Sequence, residues 1–267
     1  MKLFYREIGK GDPLIILHGL YGSSDNWVSI GKELGAYNRV IIVDQRNHGQ
    51  SPHSKEHNYK ALSNDLLELY ADLRLEKATL LGHSMGGKVA MQFAIDHPEK
   101  VSSLIVVDIA PWSYLVGNDS SAQLGDEHQQ IINGLMSIPL NNISSRIEAN
   151  EILSRWVKSE RIRQFLLKNL KREQNGSFTW RFNLPVLASN LNQLMGSIDP
   201  NSKNIYCITQ TLFIKGELSS YIPDSRVEEI KKIFPESKVV TVKKAGHWVH
   251  AEKPIEFLSE IKKFLKH

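Results

Sequence analysis

Residues 80–90, LLGHSMGGKVA, constrain the fold of this chain more than any other segment. An apolar, strand-like run ends in GHSMG (82–86), and a helix-like run begins directly after it. Small residues on both sides of a serine are needed where the backbones of a strand and a helix approach closely. The pattern G-x-S-x-G at such a junction predicts a tight, strained turn that exposes the oxygen of Ser84 at the end of a sheet.

Short apolar runs rich in β-branched residues recur along the chain, and they cover residues 13–19, 39–45, 78–84, 103–110, 211–217 and 238–247. Most of them lack polar alternation, as is typical of parallel strands covered on both faces. Helix-like stretches lie between several of these runs. Residues 63–75 have one apolar face and a plausible N-cap at Ser63, and residues 86–98 end at Pro98. This alternation predicts an α/β fold with a mostly parallel, doubly wound sheet.

The strand–helix alternation stops between Pro111 and Tyr206. This span contains mixed helical patterns, for example at 150–173, but no convincing series of strands. A structureless loop of this length is improbable in a compact domain. The sequence therefore predicts a core domain made of residues 1–111 and 206–267, with a helical cap, residues 112–205, inserted between strands.

Composition excludes several classes of function. The net charge is only +4, and the basic residues are scattered among 29 acidic ones, which argues against a nucleic-acid partner. The single cysteine, Cys207, excludes an intramolecular disulfide and a cysteine-rich metal site. No apolar run approaches the ~18 residues that span a bilayer. We expect a cytoplasmic protein, a monomer or homodimer, with no membrane span.

A serine hydroxyl is a weak nucleophile unless a neighbouring base takes its proton. Of the ten histidines, His247 is the best candidate for that base, because it follows the last strand-like run and precedes a helix. His250 is expected to be a packing or surface histidine. His83, which lies inside the turn itself, is expected to pack or to orient a neighbour.

A third group should hold the imidazole in one tautomer and stabilise its cation. Useful side chains in a doubly wound sheet lie just beyond the carboxyl ends of strands. Asp108 ends the run SLIVVD and meets this requirement, while Glu217 and Asp224 remain alternatives. Backbone N–H groups must also stabilise an oxyanion, and each is worth on the order of 10²–10³ in rate. The glycine-containing loop LHGLYG (17–22) predicts the N–H of Leu20 as one donor, and the N–H of Met85 is the other.

With these features together, the chain resembles the α/β-hydrolase superfamily over nearly its whole length. The resemblance rests on LHGLYGS, VDQRNHGQS, GHSMGG and GHWVHAEKP. Within the superfamily it looks most like the YbfF-like group of bacterial esterases and thioesterases, which is related to the eukaryotic ABHD-eleven type. The resemblance implies a Ser–His–Asp hydrolase of carboxylic esters or acyl thioesters. It would act through an acyl-enzyme on Ser84 and would need no metal and no cofactor.

The resemblance also bears on the acid and on the substrate. The commoner acid position of the superfamily is occupied here by Ser219, which moves the acid role to Asp108. We expect the substrate to be a small-molecule ester or acyl thioester, bound in part by His83, Trp180, Phe182 and Trp248. The basic residues of the cap favour a solvated amphipathic helix, with attraction of an anionic substrate such as an acyl-CoA as the alternative: Arg155, Lys158, Arg161, Arg163, Lys168, Lys171, Arg172 and Arg181. The alternatives are a lyase of the menaquinone-pathway kind on the same residues and a non-catalytic ligand sensor.

Overall fold

The computed structural model describes residues 1–115, 123–198 and 206–266. Seven strands form one sheet in the order β1-β3-β2-β4-β5-β8-β9, and all neighbours are parallel except β1 and β3. The strands are β1 (Tyr5–Ile8), β2 (Asp12–Leu17), β3 (Asn38–Val43), β4 (Ala78–His83), β5 (Val101–Val107), β8 (Thr211–Gly216) and β9 (Ser237–Val242). This arrangement confirms the predicted α/β fold.

Helices cover both faces of the sheet. The helices of the core are α1 (Val28–Leu34), α2 (Tyr59–Asp72), α3 (Met85–Asp96), α9 (Val227–Ile233), α10 (Val249–Glu252) and α11 (Pro254–Leu265). Residues of α2 and α3 belong to one buried apolar cluster, whereas those of α1 and α11 belong to a second. Burial on both faces is the physical reason why most strands lack polar alternation.

One local prediction was wrong, and one strand was missed. Ser63 is not an N-cap: the helix begins at Tyr59, and the side chain of Asn58 accepts a hydrogen bond from the Ala61 N–H at 2.8 Å. Ser63 is instead buried inside α2. The edge strand β1 was not expected at all, because it alternates between exposed and half-buried residues and contains no apolar run.

The segment between β5 and β8 lies outside the sheet, and we call its described residues, 112–115 and 123–198, the cap. Its helices are α4 (Leu124–Met136), α5 (Arg146–Ser154), α6 (Glu160–Leu167), α7 (Leu184–Ser189) and α8 (Leu191–Met195). The cap also contains a short antiparallel pair, β6 (Leu170–Arg172) and β7 (Phe178–Trp180), which the sequence did not predict because each strand has only three residues. The predicted boundary at residue 205 falls outside the described residues, so the limits 112–205 stay a prediction.

The two ends of the cap meet beside helix α3. The Tyr114 N–H donates to the carbonyl of Met195 at 2.8 Å, and the Ile198 N–H donates to that of Pro111 at 3.0 Å. Lys88 of α3 donates from Nζ to the carbonyl of Trp112 at 2.8 Å and also to the carbonyl of Gly196. Lys88 therefore ties both ends of the cap to the helix that begins directly after Ser84.

Candidate active site

Ser84 lies between strand β4 and helix α3 in a backbone conformation that non-glycine residues rarely adopt. Its φ is 53° and its ψ is −124°. A Cβ on Gly82 would lie 2.2 Å from the carbonyl oxygen of Gly86, and one on Gly86 would lie 2.4 Å from that of Leu17. Neither position has room for a side chain. The glycines let strand and helix close around the turn, as the motif predicts.

Asp108 follows strand β5 and is completely buried, with a φ of 49°. Its Oδ1 accepts a hydrogen bond from the Gly216 N–H at 2.9 Å. Its Oδ2 accepts one from the hydroxyl of Ser219 and lies 2.8 Å from Nδ1 of His247. The carboxylate is thus oriented by several donors and faces the imidazole.

His247 lies in the loop between β9 and α10, and its side chain is 15 % exposed. The ring of Tyr221 stacks on it, with the centroids 3.9 Å apart and the planes 16° apart. His83 donates from Nε2 to the carbonyl oxygen of His247 at 2.9 Å. Side chain and backbone of His247 are therefore both held in place. His83 acts on its neighbour's backbone, and it also lines the cavity described below.

Burial moves the pKa values of this pair in opposite directions. It raises the pKa of Asp108 to about 7, and the hydrogen bonds from Ser219 and Gly216 oppose the rise. It lowers the pKa of His247 to about 3, and the charge of Glu252 opposes the fall. A neutral imidazole at pH 7 can accept a proton, which is the state that a general base requires.

Two backbone N–H groups near Ser84 donate to no protein atom in the described part of the chain. Within the described residues, the amides of Leu20 and Met85 donate no hydrogen bond, although both residues are buried. The Leu20 loop is a tight turn in which the Gly22 N–H donates to the Gly19 carbonyl at 2.9 Å. A Cβ on Gly19 would lie 3.0 Å from the Cβ of Ser84, so this loop touches the serine directly. Buried amides of this kind are suited to bind an oxyanion.

Two buried histidines, His18 and His48, hold the Leu20 loop by hydrogen bonds. His18 donates from Nδ1 to the Gly19 carbonyl at 2.8 Å and accepts at Nε2 from the Gln45 N–H at 3.1 Å. His48 accepts at Nε2 from the Tyr21 N–H at 3.3 Å. Burial lowers the pKa of both histidines. Each is therefore held as a neutral imidazole, and the loop keeps its shape without a buried charge.

Ser84 and His247 line a cavity between the sheet and the cap. Its wall is predominantly apolar, and the large side chains are Leu20, Tyr21, Trp27, Ile131, Ile162, Phe165, Leu166, Tyr221 and Trp248. A second groove shares Phe165 and Trp248 with the cavity and carries the cations Arg161, Lys168 and Arg181. The arrangement suits an acyl chain inside and a polar group outside.

The structure separates the predicted substrate-binding residues. Trp248 lines both the cavity and the outer groove. Trp180 and Phe182 are not among the residues that line the cavity: they stack on each other with centroids 5.2 Å apart, and Phe182 packs behind Tyr21 at 5.6 Å. Their aromatic surface is used inside the cap, so the structure does not bring them to the predicted position.

The alternative acids lie elsewhere. Glu217 accepts a hydrogen bond from the Lys244 N–H at 2.9 Å, and Asp224 forms an ion pair with Lys215 at 2.6 Å. Neither hydrogen-bonds to His247 in the described structure. His250 stacks on Trp27 with centroids 4.1 Å apart and is 6 % exposed, as a packing histidine would be.

Sequence reasoning missed the contributions of Tyr221 and His128. Tyr221 follows no recognisable motif, and His128 lies on a cap helix with ordinary periodicity. The only local signal was the position of Ser219, two residues before Tyr221 and at the commoner acid position. Proximity of this loop to His247 arises from the pairing of β8 with β9, which the local sequence does not reveal.

Two further properties concern the described residues. Among them, no group of three or more His, Cys, Asp or Glu side chains is placed to hold a metal ion. None of their helices is long and apolar enough to cross a membrane.

Cys207 is buried, with Sγ 3.8 Å from the carbonyl of Ala94, as expected for a small core residue.

Comparison with known proteins places this architecture. Residues 12–254 match the family described as "alpha/beta hydrolase fold". The chain is 39 % identical over 262 residues to the sn-1-specific diacylglycerol lipase ABHD11 of Danio rerio, covering 97 % of this chain and 80 % of the relative. It is 32 % identical over 253 residues to the esterase YbfF of Escherichia coli, covering 95 % and 92 %.

A solved esterase structure is also similar to this chain. It is described as a marine microorganism esterase and superimposes with a TM-score of 0.92 at 43 % identity, covering 98 % of this chain and 99 % of that one. These relatives confirm the resemblance to YbfF-like and ABHD-eleven proteins. The chain therefore belongs to the α/β-hydrolase family, as one of its carboxylic ester hydrolases.

Proposed function

We propose that this enzyme cleaves its ester through a covalent acyl-enzyme on Ser84, with His247 as general base and Asp108 as its acid partner. One observation carries the proposal: the carboxylate of Asp108 lies 2.8 Å from Nδ1 of His247, and this imidazole shares one cavity with a serine held at a φ of 53°. The same geometry favours Asp108 over Glu217 and Asp224.

The reaction follows from these groups. Neutral His247 takes the proton of Ser84 as the serine oxygen bonds to the carbonyl carbon, and the Leu20 and Met85 amides stabilise the oxyanion. When the bond to the leaving group breaks, His247 returns the proton to the departing oxygen or sulfur. Water then attacks the acyl-enzyme, His247 takes its proton, and Ser84 recovers it as the acid leaves.

The two compartments of the site support an amphipathic substrate. The apolar cavity accepts an acyl chain. The outer groove is lined by the cations Arg161, Lys168 and Arg181 and by one acidic residue, Asp25. Arg181 already pairs with Asp25 at 3.0 Å, and Arg161 already pairs with Glu252 at 3.2 Å. We propose acyl esters and acyl thioesters as substrates, with an anionic leaving group such as coenzyme A held by this groove. Diacylglycerol, named for one relative, is the uncharged comparison.

The deciding experiment measures turnover of p-nitrophenyl acyl esters of increasing chain length beside acyl-CoA thioesters and diacylglycerol. Ser84→Ala is the control, and a fluorophosphonate probe reports whether Ser84 is labelled. Turnover and labelling that both disappear in Ser84→Ala support the acyl-enzyme. Absence of turnover and of labelling in the wild-type enzyme contradicts it and favours the lyase or the ligand sensor.

The groove has its own test. Lys168→Gln should raise KM for acyl-CoA and leave KM for p-nitrophenyl esters unchanged, since only the former carries phosphates. Lys171→Gln is the matched control, because Lys171 already pairs with Glu173 at 3.1 Å and does not line the groove. Equal effects of both substitutions contradict anion binding in the groove.

A further inference from the structure

The loop after β8 brings one buried side chain, Tyr221, into contact with both His247 and the cap. The face of its ring stacks on the imidazole of His247, with centroids 3.9 Å apart. Its hydroxyl lies 2.8 Å from Nε2 of His128, a residue of cap helix α4. The same side chain therefore touches the proposed base with its ring and the cap with its hydroxyl.

The backbone of Tyr221 is held on both sides. Its N–H donates to Oγ of Ser219 at 3.3 Å, and Ser219 in turn donates to Asp108. Its carbonyl accepts from the hydroxyl of Tyr114 at 3.0 Å, and Tyr114 belongs to the first residues of the cap. With 7 % of its surface exposed, Tyr221 has little freedom to move independently of these partners.

The link between Tyr221 and His128 joins two uncharged groups. Burial raises the pKa of the Tyr221 hydroxyl and lowers the pKa of His128 to about 4, so neither group is charged at pH 7. His247 does become a cation during the proposed reaction. An aromatic face stabilises such a cation.

We propose that Tyr221 is a positioning residue that ties the orientation of the His247 imidazole to the placement of cap helix α4. The inference rests on the proposed function, because it concerns the base of that reaction. A displacement of α4 moves His128, and with it the hydroxyl and the ring that support the imidazole. When the cap is closed over an acyl chain, it thus holds the His247 imidazole in the orientation in which it can take the proton of Ser84.

The test separates the ring from the hydroxyl. Tyr221→Leu removes the stack and should lower kcat for p-nitrophenyl acetate about 10- to 100-fold, since misplacing a reacting group by ~1 Å costs roughly 10² in rate. Tyr221 also lines the cavity, but the acetate ester does not reach along it, so KM for this ester should change little. Tyr221→Phe keeps the stack, loses the hydrogen bond, and should lower kcat several-fold. His128→Phe breaks the same bond from the cap side and should have the same effect. The double variant should be no slower than either single variant.

Tyr59→Phe is the matched control. Tyr59 is another buried tyrosine whose hydroxyl bonds to the cap, at 2.5 Å from the carbonyl of Leu194, but it does not contact the His247 ring. Its substitution should lower the Tm as Tyr221→Phe does and leave kcat for p-nitrophenyl acetate unchanged. Thermal unfolding and steady-state kinetics on the full chain provide both readouts.

Three results would overturn the inference: a kcat within twofold of wild type in Tyr221→Leu, additive losses in the Tyr221→Phe/His128→Phe cycle, or an equal loss of kcat in Tyr59→Phe. If Tyr221→Leu does not fold, the double-mutant cycle of Tyr221→Phe and His128→Phe tests the inference without it. Failure of the proposed function is recognised separately, as a wild-type enzyme with no turnover and no labelling of Ser84. The inference is tested only by the ratio of the kcat of each variant to the kcat of an active wild-type enzyme.

Discussion

The core and the cap form opposite walls of one cavity, and they hold their residues by different means. On the core side, Ser84 and Asp108 have positive φ values, and Gly82 and Gly86 leave no room for a Cβ. The backbone conformation of the core therefore fixes the positions of Ser84 and Asp108.

On the cap side, the contacts around the cavity are made by side chains. Asn169 donates from Nδ2 to the Tyr21 carbonyl at 2.8 Å, His128 is hydrogen-bonded to Tyr221, and Phe165 packs on Trp248 with centroids 5.5 Å apart. A single substitution can change such a contact without altering the chain path. We therefore propose that the core determines which reaction occurs and the cap determines which substrate reaches it.

The largest effect should come from the core nucleophile. Ser84→Ala should lower kcat by about 10⁶-fold, the magnitude known for loss of a catalytic serine, because it removes the hydroxyl on which we propose that the acyl-enzyme forms. Labelling by a fluorophosphonate should disappear while the Tm stays close to wild type. Residual kcat within a hundredfold of wild type would show that another residue carries the chemistry.

Removing the charge of the acid should cost less. Asp108→Asn should lower kcat about 10⁴-fold, because the amide no longer fixes the tautomer of His247 or stabilises its cation. Glu217→Gln is the control and should stay within about twofold of wild type. A near-normal rate in Asp108→Asn together with a collapse in Glu217→Gln or Asp224→Asn would assign the acid elsewhere.

The backbone of the core can be tested with glycine substitutions. Gly86→Ala would place a Cβ 2.4 Å from the Leu17 carbonyl oxygen and 2.6 Å from that of His18, so the backbone must shift. We expect a loss of about 3 kcal/mol in the free energy of unfolding, measured in urea. Gly176→Ala has no atom within 4 Å of the new Cβ and changes only a residue with φ of 88°, so it should cost about 1 kcal/mol. Equal costs would contradict the close approach.

A smaller effect concerns pH. The hydroxyl of Ser219 donates to Asp108 and thereby lowers the pKa of that carboxyl. Ser219→Ala removes the donor, the pKa of Asp108 rises, and the pair with His247 takes up a proton at higher pH. The acid limb of kcat/KM should therefore move upward by about one to two units, the scale of one hydrogen bond to a charged group. Ser220→Ala should leave the limb in place, and a downward shift in Ser219→Ala would contradict the assignment.

The smallest effect should come from the cap wall. Phe165→Ala removes an aromatic ring from the cavity and should raise KM for long-chain esters several-fold, as burial of such a ring is worth about 1.5–3 kcal/mol at most. The acetate ester, which does not reach along the cavity, serves as the internal control. A proportional change for both esters would mean that Phe165 supports the fold and not the chain.

Much of the fold was predictable because its strands are continuous apolar runs, which short-range patterns reveal. Strand β1 was missed because it is half exposed, and the start of α2 was misplaced because Ser63 looks like a cap but is covered by tertiary packing. In the cap, aromatic residues predicted for the substrate pack on one another instead. Local pattern cannot distinguish an aromatic ring that faces a cavity from one that faces the interior.

The sequence by itself determined the turn at Ser84, because the crowding of strand and helix demands glycines at fixed spacing. It also placed His247 and Asp108 at strand ends. Only the tertiary structure decided which carboxylate faces His247, because the local sequence does not show that Asp108, after β5, points at the imidazole while Glu217 and Asp224, after β8, bond to Lys244 and Lys215. Only the fold, likewise, brought Tyr221 between the base and the cap, since that contact joins segments far apart in the chain.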